Sequence, residues 1–133
     1  MVAAPGELIT GCYYVNEDSI GIKKTVLENG ILNTYYLNPQ AIITVNDFET
    51  VALDHELGLA IQIHLNKAGT KAFADASKKS LNKRLGFVIA GQLVMAPVVS
   101  GEISGGEIQI SGNFEEREME DLIGRIENDM YEN

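Results

Sequence analysis

A single cysteine, Cys12, stands in the 133 residues, so no disulfide can form within the chain and the redox compartment stays open. No run approaches the roughly 18 apolar residues of a membrane-crossing helix, so no transmembrane segment is expected. Positive charge is scarce. Ten Lys and Arg against nineteen Asp and Glu leave a net charge of −9. Such a chain repels phosphate, which excludes general nucleic-acid binding unless the basic residues are gathered in one place. Internal repeats and low-complexity segments are missing too. What is present is ordinary: 45% hydrophobic and 22% charged residues, a globular composition that excludes a disordered acidic polymer. The length fits one domain, residues 1–133, burying roughly two-thirds of its unfolded surface around one core.

Leu8-Ile9-Thr10-Gly11-Cys12 has the form of a bacterial lipoprotein cleavage box, which makes Cys12 a candidate lipidation site. Residues 1–7 supply neither the basic head nor the longer apolar core of such a signal. A strand whose small residues match the box is the competing reading.

Residues 7–15 are rich in β-formers and read as a strand. Residues 19–27 are a second, interrupted by Gly21. Glu28-Asn29-Gly30 is a turn signal, because Asn-Gly tolerates positive φ. Ile31 to Leu37 returns as a strand, which Asn38-Pro39 is expected to break before a short strand at Ala41 to Val45. Asn46-Asp47 is expected to cap a helical turn through Phe48 and Thr50. Leu59, Ile61, Ile63 and Leu65 share one face of a half-buried strand.

Two helices follow from their periodicity. One opens at the N-cap Asn66 and runs to about Arg84, with Gly69, Ala72, Phe73, Ala76 and Ser80 on a close-packing face. The other opens at Asn113, which forms a capping box with Glu116, and carries the stripe Met119, Leu122, Ile123, Ile126 and Met130. Between them lie strands at Leu85 to Ala90, Leu93 to Val99 and Glu107 to Ser111, with a turn at Gly91-Gln92. The order predicts an α+β fold: an antiparallel or mixed sheet with two main helices packed on one face. Six of the ten basic residues, Lys67, Lys71, Lys78, Lys79, Lys83 and Arg84, fall in the first helical region, and eight of the nineteen acids fall in 115–132. These are solvated helix faces, or a basic stripe that meets an acidic partner or lipid headgroups.

Chemistry is absent from the pattern. The two histidines are His55 and His64. His55 lies in Asp54-His55-Glu56, but neighbours on a strand point to opposite faces, and no closely spaced His/Cys cluster accompanies it. Cys12 has no base nearby in sequence, and Ser100, Ser104 and Ser111 are outside any Gly-x-Ser-x-Gly elbow. The Gly-rich stretch 101–112 precedes a helix, as a phosphate loop would, but it carries two acids and no Lys-Ser/Thr pair. Tight turns flanking an edge strand explain it. Nothing demands an enzyme, a metal or a cofactor.

An ordered set of short motifs carries a resemblance. The pieces are Ile61-Gln62-Ile63-His64-Leu65-Asn66, Gly69-Thr70-Lys71-Ala72-Phe73-Ala74, Asn82 to Gly91, Val94-Met95-Ala96-Pro97-Val98-Val99, and Gly105-Gly106 followed by Ile110-Ser111-Gly112-Asn113-Phe114. Together with Tyr35 to Pro39 and Ile43 to Phe48 upstream, they resemble the head subdomain of the first periplasmic domain of SecD, the accessory subunit of the Sec export channel. The family usually has Asp where this chain has Ala90, and its closing helix is Ala- and Leu-rich where this one is acidic.

The resemblance implies a SecD-head-like, ferredoxin-like core over residues 31–127, with residues 1–30 as an N-terminal β extension and 128–133 as a polar tail. It implies a free-standing, non-enzymatic module of the bacterial cell envelope, in the periplasm or otherwise outside the cytoplasm, that binds unfolded or extended polypeptide. Sec translocase components are further partners by resemblance. The expected polypeptide contacts are Val94, Met95, Ala96, Val98, Ser100, Gly101, Ser104, Gly105 and Gly106. The alternatives are a structural or regulatory protein with no export role that docks on a translocase or on another copy of itself through Lys78, Lys79 and Lys83, a cytoplasmic protein that shares only the fold, and a small-molecule enzyme.

Overall fold

Asn29 and Gly30 take φ of 50° and 79°, the positive values a two-residue hairpin turn requires. In the computed structural model, which describes residues 8–56, 58–112 and 114–132, they join β2 (Ile22–Glu28) to β3 (Ile31–Thr44). β1 (Gly11–Asn16) precedes this hairpin. After it come a 3₁₀ turn (Val45–Asp47), β4 (Phe48–Asp54), β5 (Ala60–Leu65), α1 (Lys67–Lys79), β6 (Leu85–Ile89), β7 (Gln92–Met95), β8 (Glu107–Ile110) and α2 (Glu116–Glu132). The α+β class is as expected, and the sheet pairings are antiparallel. The strands divide between two sheets, ordered β2-β3-β1-β6-β7 and β4-β5-β8.

Several boundaries differ from the sequence reading, each for a local reason. β3 runs through Asn38-Pro39 instead of breaking there. Pro39 lies past the end of the β2 ladder, at Ile22↔Leu37, and within a register shift of the β1 ladder, so its missing N–H breaks no pairing. The turn after β3 is capped by Thr44 rather than Asn46. Thr44 Oγ1 accepts from Asn46 N–H at 3.3 Å, and the Asp47 carboxylate accepts from Thr44 N–H at 3.0 Å. Phe48 therefore begins a strand, β4, which the sequence reading placed in the helical turn.

α1 is capped by Asn66 as expected but stops at Lys79, short of Arg84. Ser80 N–H bonds back to the Ala76 and Ser77 carbonyls, and Asn82 turns left-handed with φ of 65°. β7 stops at Met95 because Pro97 offers no donor; Val98 and Val99 make only isolated bridges, to Arg84 and Leu81. The expected N-cap Asn113 lies outside the described residues. Residues 128–132, expected as a tail, continue α2, because its apolar stripe reaches Met130. β1, expected in an extension, is the middle strand of the larger sheet.

Alternation on the larger sheet fills two cores. Cys12, Ile43, Leu85, Phe87, Ile89 and Val94 point to a main core shared with Ile61, Ile63 and Leu65 of β5, Ile108 and Ile110 of β8, Phe73 of α1, and Met119, Leu122 and Ile126 of α2. The opposite face supplies Tyr13, Val26, Leu37, Val88 and Leu93, which gather with Leu8 inside the sheet's own curl. Gly86 leaves room there: a Cβ would meet Leu37 Cδ2 at 2.9 Å. The smaller sheet buries only one face, and His64 on the other is exposed.

Candidate functional site

From Pro97 on, the chain is pinned to the turn after α1 and to the first residue of β6. Leu85 N–H donates to Pro97 O at 3.1 Å, Asn82 N–H to Val99 O at 2.8 Å, and Val99 N–H to Lys83 O at 2.8 Å. The loop then passes α1, where Ile103 N–H donates to Ser77 Oγ at 2.8 Å, and returns at Gly106, whose carbonyl accepts from Leu65 N–H at 2.8 Å. These ties hold the 97–106 segment away from the edge strand β8. The space left is an apolar cavity of about 180 Å³, with Phe73 and Phe87 at its floor and Val98, Ile103 and Ile108 among its walls. The two rings meet edge-on, centroids 6.1 Å apart. Glu107 and Gln109 of β8 border the opening.

Of the expected polypeptide contacts, Met95, Val98, Ser100 and Gly101 line this cavity. Val98 is 52% exposed at its mouth. Ser104 and Gly105 lie exposed on the loop beside it. Val94, Ala96 and Gly106 are buried. Val94 belongs to the main core, Ala96 is fully enclosed where the chain leaves β7, and Gly106 is packed on Thr70. The sequence reading missed Phe73, Phe87, Ile103 and Ile108 as site residues. Their only signal was alternation and helical spacing, which mark core positions equally well.

The three candidate docking lysines are exposed, but two already face acids. Lys78 Nζ is 4.0 Å from Glu102, and Lys83 Nζ is 3.9 Å from Glu17. Cys12 is fully buried in mid-strand, paired with Ile43 on one side and Phe87 on the other. Its thiol is enclosed by the main core. Burial pushes that thiol pKa well above the ordinary value, so it stays neutral and unreactive. Each histidine faces one glutamate: His55 Nδ1 is 3.8 Å from Glu116, and His64 Nδ1 is 3.6 Å from Glu107. Among the described residues, no three His, Cys, Asp or Glu are grouped to hold a metal ion, and no helix is long and apolar enough to cross a membrane.

The model of the SecDF P1 head subdomain family matches residues 23–128. The protein translocase subunit SecD of Rickettsia typhi is 34% identical over 95 residues, covering 71% of this chain and 16% of that protein. SecD of Calditerrivibrio nitroreducens is 39% identical over 62 residues, 47% of this chain and 12% of that protein. The matched segment is thus a small fraction of either relative. A solved structure of SecDF, described as a membrane component that enhances protein export, shares the fold. It matches with a TM-score of 0.71 at 20% identity, over 90% of this chain and 62% of that one.

Proposed function

The chain belongs to the SecDF P1 head subdomain family, and we propose on that basis that it is a non-enzymatic polypeptide-binding domain of the bacterial cell envelope, linked to protein export. Its place is outside the cytoplasm, as for the periplasmic head of SecD. The observation that carries the reading is the apolar cavity of about 180 Å³ between the 97–106 segment and β8. A cavity of that size suits one bulky apolar side chain. β8 is an edge strand, with a ladder to β5 on one side only among the described residues. An extended chain laid along that edge gains sequence-independent backbone hydrogen bonds, while the cavity takes an apolar residue. Docking on a translocase component through Lys78, Lys79 and Lys83 is the less supported reading, because ion pairs already occupy two of these lysines.

The test is titration of a reduced, unfolded, fluorophore-labelled polypeptide, followed by anisotropy. Val98→Asp puts a charge at the cavity mouth on a side chain that is already 52% exposed, so the fold should tolerate it. Losing one buried apolar side chain is expected to weaken binding by about tenfold or more. Unchanged affinity would sink the cavity as the binding site. A triple Lys78, Lys79 and Lys83 to Glu variant that alone abolished capture would favour docking instead.

A further inference from the structure

The larger sheet curls around its inner core but does not close. Cα atoms of its edge strands β2 and β7 come within 8 Å of one another, yet no ladder joins them among the described residues. Parity rules out an antiparallel ladder between them. The pairs β2–β3, β3–β1, β1–β6 and β6–β7 are all antiparallel, so four reversals bring β7 back to the direction of β2. Five strands cannot close an all-antiparallel ring. A sixth, running opposite to both edges, would.

Side chains clasp the seam in its place. At one end Lys24 Nζ donates to Gly91 O at 2.7 Å. At the other, Arg84 lies 3.7 Å from the Glu28 carboxylate, stacks 5.2 Å from the centre of the Tyr35 ring and donates to the Ala96 carbonyl. Tyr35 OH and Asn33 Nδ2 hold Glu28 in turn, both at 2.8 Å. A cleft of about 550 Å³ opens along the seam, walled by Val26, Glu28, Leu32, Leu93, Met95 and Glu118 among others.

We infer that this seam takes up an extended polypeptide segment as a sixth strand, antiparallel to both β2 and β7. The inference rests on the polypeptide-binding reading above and adds a site, a direction and a charge preference. Two walls of the cleft are the edge strands β2 and β7, which make no ladder on that side among the described residues, and the outward N–H and C=O groups of an edge strand match another extended backbone. Acidic side chains border the cleft, Glu28 from β2 and Glu118 from α2, and the chain as a whole carries −9, so the seam selects against acidic segments and for neutral or basic ones. Seating a strand needs about 9.5 Å between the flanking strands, twice the pairing distance. The closed seam is narrower, so the Arg84–Glu28 clasp sets the threshold for entry.

The probe is a short fluorophore-labelled peptide of alternating Val and Lys, with amide hydrogen exchange to locate it on the wild-type chain. The expected result is binding, with exchange slowed in both β2 and β7. A peptide N-methylated at alternate residues, lacking the donors of one edge, should lose binding. Arg84→Gln, which loosens the clasp and leaves the Glu28 charge in place, should tighten it by about threefold or more. If the peptide binds but slows exchange only around residues 97–109, the seam is overturned and the polypeptide-binding reading stands. If neither this peptide nor an unfolded polypeptide binds at all, both fail. Slowed exchange in β2 and β7 that rises with protein concentration and without peptide would assign the seam to a second copy of the chain, and would also overturn the inference.

Discussion

At Gly106 the backbone takes φ of 74°, and a Cβ there would stand 2.6 Å from Thr70 Oγ1. Its carbonyl closes the bond from Leu65 N–H at 2.8 Å. This one residue therefore seats the start of β8 against the first turn of α1. Gly106→Ala is expected to cost about 1–3 kcal/mol, from the left-handed penalty and the crowding together. A lower denaturant midpoint at unchanged slope would show it, and an unchanged midpoint would refute the clash. The sequence reading puts tight turns in the Gly-rich stretch 101–112, which is legible because glycine favours turn backbones. That Gly106 is buried was not legible, because Thr70 reaches it only through the fold. The same limit explains Val94 and Ala96: their burial depends on what covers β7, not on their neighbours in sequence.

Elements whose logic is local were readable. α1 begins where Asn66 Oδ1 accepts from Gly69 N–H at 2.8 Å, and α2 carries its stripe at Met119, Leu122 and Ile126. Asn66→Ala should cost about 1 kcal/mol, while Asn66→Asp should retain most of that. Comparing the thermal midpoints of the two variants checks the cap. The β2–β3 hairpin was equally plain from Asn29-Gly30. β4 was not, because its pairing with β5 outweighs the helical signal of Asn46-Asp47. Nor was the passage of β3 through Pro39, which depends on where two neighbouring ladders end. The division into two sheets could not be read from strand order, since pairs such as β1–β6 are set by contacts between residues far apart in the chain.

At the scale of the whole molecule, sensitivity to alkali is expected from two adjacent residues of the middle strand. Cys12 faces the main core and Tyr13 faces the inner core. Burial raises both acids: the thiol well above its ordinary 9.0, and the Tyr13 phenol, with a lesser push from Cys12, from 10.0 up to about 12. Tyr13 also donates its proton to Ile9 O at 2.6 Å. Both groups hold their protons more tightly in the folded state, so their contribution is complete below about pH 9 and shrinks as pH rises toward 12. Urea midpoints should therefore fall from about pH 9 upward, and Cys12→Ala should delay the onset. A flat profile to pH 12 would show that neither group is held protonated by the fold.

The first strand in the described chain is the middle strand of the larger sheet, and time of synthesis enters through that placement. β3 can pair with β1 early, but the other side of β1 meets β6 only after Phe87 and Val88 have been made. At roughly 5–20 residues per second, the centre of the sheet waits several seconds with one edge bare. An unpaired strand edge is a template for pairing with any other extended chain. The nascent domain thus passes through an interval in which it is itself the kind of segment that needs shelter.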